Sequence, residues 1–168
     1  MTLKSNLFPL GKLIKPHGLR GDITLFLDRS WFTGLLSQYP QVIINDTSYT
    51  LISIRRQARF YVVRFSSVDQ ASGAEDLRNH TLYCPLSHLK AYAKEHQIYL
   101  SNLWIGFSIK DKEGRDCGTV EAVIPTGSND VLELKLGDKE LLVPVTAEYI
   151  LSIDEKNKQL IIKYPEMV

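Results

Sequence analysis

The sequence predicts an all-β protein made of two small β-barrels joined by a short helical linker. Apolar residues recur with period two in one short run after another, and turn residues separate those runs at even intervals. One helix-favouring stretch divides the chain near its middle. With 168 residues, 44% hydrophobic and 23% charged, the composition is ordinary for a globular protein of one domain or two small ones.

Taken in order, the first strand candidates are "FPLGKLI" and "DITLFL", the latter with Ile23, Leu25 and Leu27 on one face. "SWFTGLL" reads as one or two helical turns with Ser30 as N-cap. "YTLISIRR", "RFYVVRF" and "HTLYC" are β-rich. Before the last of these, "VDQASGAEDLRNH" reads as a helix capped by Asp69, with Leu77 packing inward and Gly73 weakening it by about 1 kcal/mol relative to Ala. Pro85 ends the strand run, and "LSHLKAYAKEHQIY" is weakly amphipathic, with Leu86, Leu89, Ala93 and His96 on one side. The second half offers six strands: "WIGFSIKD", "GTVEAVI", "VLELKLG", "KELLVPV", "ILSID" and "QLIIKY". Gly137-Asp138 suits a tight hairpin turn. These elements divide the chain into a first barrel over 1–85, a linker over 86–98 and a second barrel over 99–168.

The total charge of +1 hides an asymmetry. Met1 to Lys90 carries 11 Lys/Arg against 6 Asp/Glu, a balance of +5; the remainder carries 9 against 13, a balance of −4. One half therefore tolerates phosphate and the other a cationic protein. Cys84 and Cys117 stand in no metal-ligand spacing, which predicts a reducing compartment and two buried, inert thiols. The first residues lack the apolar core and cleavage site of an export signal, and no run approaches the roughly 20 apolar residues of a membrane span. The expectation is a cytoplasmic protein.

Catalytic motifs are missing. There is no G-x-S-x-G elbow, no phosphate loop ending in Gly-Lys-Ser/Thr, and no pair of histidines in zinc spacing among His17, His80, His88 and His96. "GLRG" matches the clamp of KH domains, but strands flank it where that clamp needs helices. What remains is a corner: Pro16 sets φ, Gly18 and Gly21 let the chain turn back, and Lys15, His17 and Arg20 project from a barrel rim. A structural corner with solvated charges and a phosphate-contacting corner fit these residues equally. Arg55, Arg56 and Arg59 cluster at a hairpin tip beside Phe60 and Tyr61, which suits phosphate contact or plain solvation. Gly127, Asn129 and Asp130 are residue types for positive φ or Asx-turns and would close a hairpin. Ile98, Tyr99, Leu100 and Trp104 bring apolar surface to the seam between the halves, as packing or as a contact for another protein.

In order and spacing these pieces resemble the ribosome maturation factor RimM family of bacteria over nearly the full length. "GKLIKPHGLRGDITL" is similar to that family's opening strand, Pro-His-Gly turn and second strand. "FYVVRFSSVDQASGAEDLRNHTLY" is similar to its strand, Ala-Glu-x-Leu helix and return strand. "GTVEAVIPTGSNDVLEL", "KELLVPVTAEYILSID" and "IIKYPE" resemble its PRC-barrel part.

The resemblance implies a six-stranded barrel like those of translation factors followed by a PRC barrel. It also implies a monomeric, non-enzymatic assembly factor without cofactor or metal, binding the head of the immature small ribosomal subunit. There it would contact small-subunit ribosomal protein nineteen (uS19 type) and support processing and folding of 16S rRNA. On this reading Lys15, His17, Arg20, Arg55, Arg56 and Arg59 meet RNA, and Tyr99, Leu100 and Trp104 meet the protein. The rival is a PRC-barrel docking adaptor that touches no RNA. The chain departs from the family where paired tyrosines precede Asp-Leu-Ile-Gly: "YLSNLWIG" keeps Tyr99 but has Leu100 beside it, with Asn102 or Leu103 in place of the aspartate. Ser66 and Ser67 also stand where the family often has a glycine.

Overall fold

A computed structural model describes residues 6–165. It divides into two compact units, residues 1–97 and 98–168.

In the first unit, β1 (Leu7–Pro16), β2 (Ile23–Leu27), β3 (Gln41–Ile44), β4 (Thr47–Gln57), β5 (Phe60–Phe65) and β6 (Thr81–Pro85) close a barrel in the order β1-β2-β5-β4-β3-β6. Two bulges, at Pro9/Gly11 and Leu13/Lys15, bend the ten-residue β1 so that it pairs with both β2 and β6. Inward positions follow the alternation: Leu13, Ile23, Leu25, Val63 and Phe65 are buried. β3 is a strand that the alternation does not announce. It is four residues long and enters a two-residue turn at Asn45 and Asp46, both at positive φ.

Both expected helix caps are corrected. The helix α1 (Phe32–Gln38) starts after Trp31 with no side-chain cap; Thr33 Oγ1 instead donates to the Ser30 carbonyl. Helix α2 (Ala71–Asp76) starts after Gln70, again without a side-chain cap, so Asp69 does not serve. Leu77 is buried as expected.

The third helix, α3 (Leu86–Glu95), occupies the expected linker. In the structure it buries Leu89, Tyr92 and Ala93 and belongs to the first unit. Tyr92 stacks on Trp31, and its hydroxyl sits over Gly34, where any Cβ would collide with it. Weak amphipathicity reads as a linker because much of this contact comes from a tyrosine, whose polar tip masks its apolar area.

The second unit opens with a 3₁₀ turn, Ser101–Trp104, where the sequence suggests the start of a strand. β7 (Ser108–Asp111), β8 (Asp116–Ile124), β9 (Val131–Leu136), β10 (Lys139–Pro144), β11 (Ile150–Asp154) and β12 (Gln159–Ile162) then form one sheet in the order β10-β9-β8-β7-β12-β11. All neighbours are antiparallel except β7 and β12. The core gathers Trp104, Phe107, Ile109, Leu132, Leu134 and Leu160. The β9–β10 turn is the expected one, with Gly137 at φ 61° and Leu136 opposite Lys139.

Candidate nucleic-acid interface

Strand alternation and register decide which cations of the first barrel share a face. On β1, β2, β5 and β4 one row runs Lys15–Thr24–Val62–Arg55, each residue the register partner of the next. Thr24 and Val62 are buried, so the row presents Lys15 and Arg55 to solvent at its two ends. In the adjoining row Lys12 lies opposite Phe26, an exposed ring. Phe26 meets Phe60 at 6.3 Å with their planes 68° apart, and the Arg59 guanidinium lies 5.1 Å from the centre of the Phe60 ring.

Asp22 is the hub of this face. Arg64 Nε donates to its Oδ1 at 2.6 Å, and Arg55 approaches its Oδ2 at 3.5 Å. Two guanidinium groups around one carboxylate leave a net positive charge in a held geometry. Arg64, bound through Nε, keeps the N–H groups of its two terminal nitrogens for another acceptor.

The corner feeding this hub is built by the backbone. The His17 amide donates to the Asp22 carbonyl at 2.8 Å and closes the loop. Gly18 and Gly21 take φ of 74° and 90°. At Gly21 a Cβ would run into the Val68 carbonyl oxygen, so the residue serves both the turn and a close backbone approach. Arg20 and Lys15 are exposed and His17 half-buried; Leu19 at the tip is 85% exposed.

The three arginines do flank the β4–β5 turn, but they do not all share one face. Arg55 and Arg56 are successive residues of a strand and project from opposite sides of it. Arg55 joins the Lys15 row, whereas Arg56 lines a cleft with α1 beside Ser30, Thr33, Ser37 and Tyr61, its Nε donating to the Ala58 carbonyl. Lys12, Asp22 and Phe26 are residues that the sequence alone does not single out for this face, whereas Arg64 stands further along the same arginine-bearing hairpin. Phe26 carried a signal: it falls out of phase with Ile23, Leu25 and Leu27, so it had to point outward.

In the second unit Trp104 is corrected from surface contact to core: it is 2% exposed. Tyr99 packs against it at 5.8 Å, and both Tyr99 and Leu100 are half-buried. The loop 125–130 does join β8 to β9, but Gly127, Asn129 and Asp130 all lie outside the positive-φ set. Thr126 closes it instead, its Oγ1 donating to the Asn129 carbonyl and accepting from the Asn129 amide at 3.2 Å. Asp130 accepts from Ser101 Oγ. Across β8, β9 and β10, Ile124, Val131 and Pro144 form one register row, with Ala122, Glu133 and Leu142 in another. Among the described residues no group of His, Cys, Asp and Glu is arranged to hold a metal ion, and no helix is long and apolar enough to cross a membrane.

Comparison with known proteins covers both units. Residues 8–89 match the RimM N-terminal domain and residues 102–168 the RimM PRC barrel domain. Ribosome maturation factor RimM of Thermosipho melanesiensis is 30% identical over 165 residues, covering 94% of this chain and 91% of its own. That of Staphylococcus aureus strain N315 is 30% identical over 158 residues, covering 91% and 93%. A crystal structure of a 16S ribosomal RNA processing protein RimM from Pseudomonas aeruginosa aligns over 95% of this chain and 98% of its own, at 21% identity and a TM-score of 0.47, a likeness too slight to carry argument. With both of its units matched in order, and relatives aligned over nine-tenths or more of both chains, the chain belongs to the ribosome maturation factor RimM family.

Proposed function

We propose that this protein is a ribosome assembly factor that works by binding, in the cytoplasm and as a monomer, without catalysing a reaction and without a cofactor. Its target is the head of the immature small subunit, where the basic unit faces 16S rRNA and the acidic unit meets a basic head protein, small-subunit ribosomal protein nineteen. The observation that carries the RNA contact is the outward face of the first barrel. There Lys12, Lys15, Arg55, Arg59 and Arg64 share a surface, and the Asp22 carboxylate holds two of the guanidinium groups. His17 and Arg20 extend that face along the corner. Cations set by strand register meet phosphates at set spacing, which positions a protein on RNA without reading sequence.

For the protein contact, Tyr99 and Leu100 supply half-buried apolar surface on a unit whose charge balance is negative. Assembly is helped by population shift: a factor that binds one arrangement of the head better than its competitors biases folding towards it by that difference in affinity. Processing of the RNA then follows from a fold that other enzymes accept.

Co-sedimentation with immature and mature small subunits across a salt series tests this. The intact chain is expected to prefer immature particles, with affinity falling as salt rises. The double reversal Lys15→Glu with Arg55→Glu is expected to reduce the log–log salt slope by about 1.5, two phosphate contacts at roughly 0.7 to 0.9 each. Unchanged affinity and slope would favour the docking adaptor that touches no RNA. No preference for small subunits over unrelated RNA would overturn the assembly reading altogether.

A further inference from the structure

We infer that the basic face of the first barrel takes unpaired RNA, with a base stacked on Phe26. The inference rests on the RNA contact proposed above and specifies the form of RNA it takes. Phe26 is 42% exposed in the middle of a cationic surface, opposite Lys12 in the register of β1 and β2. Phe60 is half-buried, holds Phe26 edge to face, and has the Arg59 guanidinium over its own ring. That leaves Phe26 as the open ring of the pair.

Physical chemistry separates the two forms of RNA on such a face. A duplex keeps its bases stacked within and offers phosphates and ribose outside, so an open phenyl ring among the cations would lie against charged backbone and gain nothing. An unpaired strand turns a base plane towards the ring while its phosphates reach the flanking cations. Lys12 and Lys15 on one side and Arg55, Arg59 and Arg64 on the other bracket the ring for a strand crossing β1, β2, β5 and β4. Stacking tolerates any base, because every base has a π-face.

Fluorescence anisotropy with the full chain tests the inference, using a labelled 12-nucleotide oligouridylate and a 12-base-pair RNA duplex at matched salt. The wild type is expected to bind the single strand more tightly. Phe26→Ala is expected to weaken single-strand binding by at least about fivefold while leaving duplex binding and the salt slope unchanged, and Phe26→Trp to restore it. Because the ring is exposed, its truncation leaves the core intact. Equal single-strand binding by Phe26→Ala, or equal loss on both RNAs, would overturn the stacked base while leaving the RNA contact standing. So would weakened particle binding at unchanged oligouridylate affinity, which would put a protein against the ring. A wild type that binds neither RNA would remove the RNA contact itself, and the stacked base with it.

Discussion

Asp111 is a buried carboxylate whose surroundings decide its ionisation. Burial raises its pKa, but the amides of Arg115 and Glu113 donating to Oδ1, and Arg115 Nε donating to Oδ2 at 2.7 Å, outweigh that and hold it below the ordinary 3.8. A carboxylate whose pKa is lower folded than unfolded contributes its full stability above the ordinary value and loses it as pH falls through the folded one. Thermal melts between about pH 5 and about pH 2.5 should therefore show a smaller acid-induced drop in Tm for Asp111→Asn than for the wild type. Asp154, lowered by its hydrogen bonds from Asn157, is expected to keep part of the drop. The two thiols behave in the opposite sense. Burial pushes Cys84 up to about 12 and also raises Cys117, and both are free and buried. Neither should react with a thiol reagent at about pH 8 until the protein is unfolded. Their burial was legible in the sequence, since two cysteines outside any ligand spacing default to small hydrophobes. The ionisation of Asp111 was not, because it depends on a turn whose amides converge only once folded.

At the scale of elements, the corner between β1 and β2 separates two kinds of glycine. Gly18 has a positive φ and open space within 4 Å of where a Cβ would stand, whereas Gly21 has a positive φ and a carbonyl oxygen in the way. Gly18→Ala should cost about 1 kcal/mol and Gly21→Ala clearly more, read from denaturant midpoints at constant m. The "PHGLRGD" motif announced a turn but not this difference, because Val68 arrives from a loop far along the chain. Helix α3 teaches the same lesson. Its Leu89 is fully buried, so Leu89→Ala should destabilise the first unit by about 2–5 kcal/mol, a cost no solvated linker would incur. The helix was visible in the sequence, but its docking depends on Trp31 and Gly34 of another part of the barrel.

Across the whole molecule, charge and fold divide together. With the boundary after Gln97, the first unit carries 12 Lys/Arg against 7 Asp/Glu and the second 8 against 12, so the opposed balances of +5 and −4 survive the reassignment of α3. Cut there, fragment 1–97 is expected to keep salt-dependent RNA binding and fragment 98–168 to show none. The intact chain should exceed either on immature subunits, because a tether makes the second contact intramolecular; filter binding and co-sedimentation would check both points. By itself the sequence determined every strand but β3, most hairpins, the division of charge and the family, since alternation, turn chemistry and ordered motifs are local and survive without a fold. Tertiary structure alone decided that β5 lies between β2 and β4, that Arg55 and Arg56 part company, and that Lys12, Lys15, Phe26 and Arg64 share a surface with Asp22 at its hub. The reason is register: neighbours across a sheet are chosen by long-range pairing, and a one-residue slip would turn every one of those side chains to the other face.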